Sequence, residues 1–92
     1  MTDYTNLFQM LENANENDTM VTFIYSDNEV SMAAEFVPDI LVQDDWVMIV
    51  DKEKGEKVNF SFMADAQIEY DEDTDEFVIF IGKERQIVIA TH

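Results

Sequence analysis

An α+β fold follows from three observations. Helical spacing of apolar residues is confined to the N-terminal stretch, two-residue alternation runs through the rest, and turn residues recur roughly every 8–12 positions between the alternating runs. The expected form is a short N-terminal helix plus a strongly bent antiparallel sheet of roughly five to seven strands, or a small barrel. At 92 residues it is one domain, spanning 1–92. A hydrophobic fraction of 47% supplies one modest core and excludes intrinsic disorder, which pairs high charge with low hydrophobicity.

The helix comes first. In "TDYTNLFQMLENA", Tyr4, Leu7, Phe8, Leu11 and Ala14 fall on one helical face. Thr2 or Asp3 is placed to cap its start, and the Asn- and Asp-rich "NANENDT" (13–19) ends it. From Thr19 the period becomes two. "TMVTFIY" (19–25) is a β-branched and aromatic strand, "SDNE" (26–29) a turn, and "VSMAAEF" (30–36) a strand with Val30, Met32, Ala34 and Phe36 on one face.

Pro38 lacks a backbone donor and marks a break or a sheet edge. "ILVQDDWVMIV" (40–50) holds one or two strands with a bend at Asp44-Asp45, and "DKEKGEK" (51–57) is a hairpin loop in which Gly55 takes positive φ. Val58, Phe60 and Phe62 point inward while Lys57, Asn59 and Ser61 point outward; Ala66, Ile68 and Tyr70 repeat the pattern. "EFVIFI" (76–81) is apolar on both faces, as in a central strand, and "GKE" (82–84) turns the chain into "RQIVIAT" (85–91). The dispersed Met10, Met20, Met32, Met48 and Met63 read as core filler.

Charge dominates the functional reading. There are 21 acidic residues against 5 basic ones, a net charge of −16, and no Lys or Arg precedes Lys52. A small domain needs a charge of only about 2–8 for solubility. Cysteine is absent, which excludes disulfides and thiol chemistry and suits the cytoplasm. The N-terminus lacks the pattern of a signal peptide, no run is long enough to span a membrane, and an acidic surface is repelled by anionic lipid. The sole histidine is His92 at the chain end, the serines have no partner base, and the two glycines are isolated, so neither an enzyme nor a cofactor is expected.

The stretch "YDEDTDEF" (70–77) admits three readings. Asp71, Asp73 and Asp75 match the start of a calcium loop, but Glu76 and Gly82 stand where that loop needs Gly and Glu. It is equally a solvated hairpin turn. Thirdly, it belongs to a carboxylate surface that imitates the charge spacing of a nucleic-acid backbone. In that reading Asp65, Glu69, Asp71, Glu72, Asp73 and Asp75 form one row, and Asp27, Glu29 and Glu35 another, with Asp39, Asp44 and Asp45 nearby. Trp46, next to that acidic pair, is either a half-exposed binding anchor or a core residue alongside Met48 and Val50.

Two resemblances bear on this. A short helix followed by bent strands looks like the Sm-like barrel, and "IGKERQIVI" (81–89) is similar to the second Sm signature; other SH3-like barrels share the element order. The Sm resemblance implies RNA held by basic and aromatic positions, which a charge of −16 opposes. In size and charge the chain also resembles phage and plasmid DNA-mimic inhibitors, such as the uracil-DNA glycosylase inhibitor and anti-restriction or anti-CRISPR proteins.

The expected function is therefore a DNA-mimic inhibitor. It would act without enzymatic activity, occupying the basic groove of a nucleic-acid-binding partner protein and binding neither nucleic acid nor membrane itself. The alternative is an acidic interaction module or accessory subunit acting through a strand edge or Trp46, with a weak calcium-binding module third. Monomer and homodimer both remain open.

Overall fold

The computed structural model describes residues 2–63 and 65–91, with side chains described for 5–55, 59–63 and 65–90. The elements are α1 (Thr2–Glu16), β1 (Val21–Ser26), β2 (Ser31–Phe36), β3 (Pro38–Gln43), β4 (Trp46–Asp51), β5 (Gly55–Met63), β6 (Gln67–Asp71), β7 (Glu76–Ile81) and β8 (Arg85–Thr91). The α+β expectation is met, with one short helix and a majority of strand. The strands pair as two antiparallel sheets, a larger one in the order β2-β1-β8-β7-β6 and a smaller one in the order β3-β4-β5. The expected caps Thr2 and Asp3, the helix-face Tyr4, the pair Lys57 and Val58, and His92 lie outside the described side chains.

The eight strands exceed the five to seven expected because the 40–50 run is two strands, β3 and β4, folded back on each other at Asp44-Asp45. Val37 separates β2 from β3, and residues 64–66 separate β5 from β6. Pro38 accounts for the first break: it opens edge strand β3, where a missing N–H costs no ladder bond, and its ring is fully buried. The second break is a tight turn closed by Ala66 N–H donating to Met63 O at 2.9 Å.

Helix α1 buries Leu7, Leu11 and Ala14, with Phe8 half-buried beside them, as the spacing predicts. Its C-terminus is a Schellman motif. Asp18 takes φ 52°, Thr19 N–H donates to Ala14 O at 2.9 Å and Asp18 N–H to Asn15 O at 3.4 Å. The helix has no basic residue in its last turn. Lys52 supplies the cation from the β4–β5 turn, donating to Asn15 O at 2.7 Å and to Asp18 Oδ1 at 2.9 Å. Asn15 Nδ2 in turn donates to Pro38 O at 2.8 Å, fastening the helix to the passage between the sheets.

The two sheets meet through aromatic rings. Phe23 of β1 stacks on Phe36 of β2 at 4.5 Å between centroids and on Phe60 of β5 at 5.5 Å. Strand β7 lies between β6 and β8, the central position its apolar faces predict. Three expectations of burial fail. Val30 and Met32 are exposed, at 49% and 59%, although Met32 is in register with the inward Tyr25: that end of β2 runs past the core. Tyr70 lies in the inward row opposite Phe77 but at the strand end, where it is 39% exposed. Met20, Met32 and Met63 are likewise exposed rather than core filler.

Candidate functional site

The acidic stretch at 70–77 closes the β6–β7 hairpin, in which Tyr70 sits opposite Phe77 with ring centroids 4.9 Å apart. Asp71 Oδ1 accepts from Asp73 N–H at 3.0 Å, an Asx-type turn, and Asp75 adopts φ 56°. The Tyr70 hydroxyl donates to Asp75 Oδ1. That bond, with some burial and the negative charges of Asp75, Glu72 and Asp71, raises the Tyr70 phenol above its ordinary value. Two of the three carboxylates in the calcium-like run thus carry internal hydrogen bonds. Among the described residues no group of three or more His, Cys, Asp or Glu is placed to hold a metal ion.

Residues directly opposite one another in a ladder share a face of the sheet, so the register maps the outer face of the larger sheet. One line across it reads Glu35, Thr22, Ala90, Glu76, Asp71; the next reads Ala33, Ile24, Val88, Val78, Glu69. Of the expected carboxylates, Glu69 and Asp71 therefore lie on β6 and Glu35 alone on β2, the two edges of the sheet. Four interstrand steps separate these edges, about 19 Å along the sheet. Between them runs an apolar stripe of half-buried Ile24, Val88 and Val78.

Not every expected residue joins this frame. Asp65, Glu72, Asp73 and Asp75 continue the β6 edge and its hairpin, all exposed. Asp27 and Glu29 sit in the β1–β2 turn, at the opposite end of the sheet from the β6–β7 hairpin. Asp27 there organises the turn. Its Oδ1 accepts from Glu29 N–H and Val30 N–H at 2.8 Å each, and its Oδ2 accepts from the Tyr25 hydroxyl at 3.2 Å. The two backbone bonds hold its carboxyl below the ordinary range, with smaller help from Tyr25 and Arg85 against a desolvation penalty. A shallow depression lined by Tyr25, Asp27, Asn28, Glu29, Glu84 and Arg85 mixes both charges at this end.

Asp44, Asp45 and Trp46 belong to the smaller sheet. Gln43 pairs with Trp46, so Asp44-Asp45 is a two-residue hairpin turn with positive φ at Asp44. Trp46 is 52% exposed, which overturns the core alternative. It stands opposite Met63, and Leu41 stands opposite Met48, on the outward face. Leu41 is 41% and Met63 39% exposed, so these residues form one exposed apolar block.

Sequence reasoning missed Glu76, the Ile24–Val88–Val78 stripe and the partners of Trp46. The signal for the stripe was present in the double-faced apolar runs at 76–81 and 85–91. No protein-family model, curated protein or solved structure matches the chain.

Proposed function

We propose that this chain is a non-enzymatic acidic binding protein, acting in the cytoplasm. In this reading it occupies the basic nucleic-acid-binding groove of a partner protein, as DNA-mimic inhibitors of the phage anti-restriction or anti-CRISPR kind do. One observation carries the reading: exposed Glu69 and Asp71 on one edge of the larger sheet and exposed Glu35 on the other, about 19 Å apart by strand spacing, form no ion pair with a described residue. Among the described residues the ion pair formed is Lys52–Asp18, which includes none of the edge carboxylates. The two sheets, continuous in chain from β2 to β3 and from β5 to β6, are then two halves of a strongly bent SH3- or Sm-like barrel that holds the edges apart.

A basic groove meeting this surface gains by counterion release, as it does on nucleic acid. The test is a partner isolated from source lysate after nuclease treatment. Its affinity should fall steeply with salt, and duplex DNA should compete for the same site. Charge reversal at Glu69, Asp71 and Asp73 together should weaken binding while the circular dichroism spectrum stays unchanged. An affinity indifferent to salt and to duplex DNA would sink the proposal. A second reading, an acidic interaction module or accessory subunit, is favoured by the half-exposed Trp46.

A further inference from the structure

We infer that the outer face of the smaller sheet is a docking surface for a basic amphipathic helix of a partner protein, anchored on Trp46. Four observations lead there. Trp46, Met63, Leu41 and Met48 are contiguous by register on adjacent strands, and the first three are each at least 39% exposed. An exposed block built around a tryptophan is the composition of an interface centre, not of a solvated sheet face.

Its border is acidic: Asp39 lies on the same face beyond Leu41, Asp44 and Asp45 form the turn beside Trp46, and Asp65 follows Met63 in the 64–66 turn. The cations Lys52 and Lys54 lie in the β4–β5 turn, at the end where Asp39 stands opposite Val50, and Lys52 is engaged there by Asn15 and Asp18. An occupant must therefore be apolar at its centre and cationic at its flanks.

The size selects a helix. Three strands span about 10 Å between the outer two, close to the 10–12 Å diameter of one helix with its side chains. A six-residue strand is about 20 Å long, or roughly four helical turns. A second copy of this chain is the wrong occupant, because it would bring a partner that also carries −16, with the same acidic border and no cationic flank, against this face. The apolar centre of this surface shares no residue with the carboxylate edges of the larger sheet, so it does not depend on the mimicry reading.

Trp46 is the only tryptophan, so its fluorescence reports occupancy directly. The probe is the synthetic helix LKKLLKLLKKLLKL, with a peptide of the same composition in scrambled order as control. In 0.5 M NaCl, where the screening length is only about 4–5 Å, the amphipathic peptide should shift Trp46 emission to the blue and the scrambled one should not. In the double variant Leu41→Ser with Met63→Ser, affinity should fall at least about tenfold.

Equal shifts from both peptides, no shift, or unchanged affinity in the double variant would overturn the assignment. So would a dimer in sedimentation equilibrium that dissociates in that variant, which would make the occupant a second copy. The charge-reversed Glu69, Asp71 and Asp73 variant should keep the shift. Its loss there would place the helix on the larger sheet instead. The wild-type peptide comparison stands even if the double variant fails to fold.

Discussion

Tyr70 and Asp75 meet across the base of the acidic hairpin, and the phenol donates its proton to the carboxylate. Ionising Tyr70 would both break that bond and set a phenolate among Asp75, Glu72 and Asp71, so its pKa is raised. The sign of the linkage follows. The bond contributes at neutral pH, below the ordinary phenol value, and is lost as pH rises through the elevated one. A tyrosinate absorbance titration should show a late step from Tyr70. In Asp75→Ala that late step should return toward the ordinary range, and no change would remove the assignment to this pair. Asp27 behaves oppositely. Its lowered pKa means that its turn-forming bonds contribute above the ordinary carboxylate range and are lost as pH falls through the depressed value. Carbon-detected NMR of the carboxyl should find Asp27 titrating below the ordinary Asp value.

At the scale of elements, helix α1 is stable mainly because it covers the core. Leu7 and Leu11 are fully buried by the sheets, whereas a helix of 15 residues in isolation is marginal. Leu11→Ala should cost about 2–5 kcal/mol in a urea-unfolding experiment. A loss under about 1 kcal/mol would mean the site collapses or that α1 frays without consequence. This helix was legible in sequence from its apolar spacing and its Asn- and Asp-rich end. Its docking was not, since Lys52 and Pro38 meet Asn15 only through contacts distant along the chain. The strands were legible as segments for the same local reason. The crossings between the sheets were partly legible: Pro38 and the restarted alternation at Ala66 marked strand ends, but nothing local says that the chain changes sheet at either.

For the whole molecule, the decisive quantity is net charge. Sixteen excess negative charges are spread over 6086 Å² of surface, so mutual repulsion opposes folding under any function. Added salt should therefore raise the melting temperature. The shift is about 4–8 °C for each kcal/mol of repulsion screened in a domain of this size. A melting temperature that falls between 20 and 500 mM NaCl would show carboxylates held by attractive pairs that salt weakens. That the exposed apolar block and the carboxylate edges sit on different sheets also means that variants at the two should act independently on binding.

Charge, helix position, strand segments and turn sites were determined by the sequence itself, because each depends on near neighbours and on periodicity. The face each strand turns toward the core was decided by tertiary structure. Alternation says that Trp46 and Val47 point opposite ways; which one is buried depends on the two-residue turn at Asp44-Asp45 and on pairing with Met63 and Phe62. A slip of one residue would reverse the answer. The same holds for the carboxylates. Their number is plain in the sequence, but that Glu35 and Asp71 end one line across a sheet, with Glu76 between, follows only once β1 pairs with β8 from the other end of the chain.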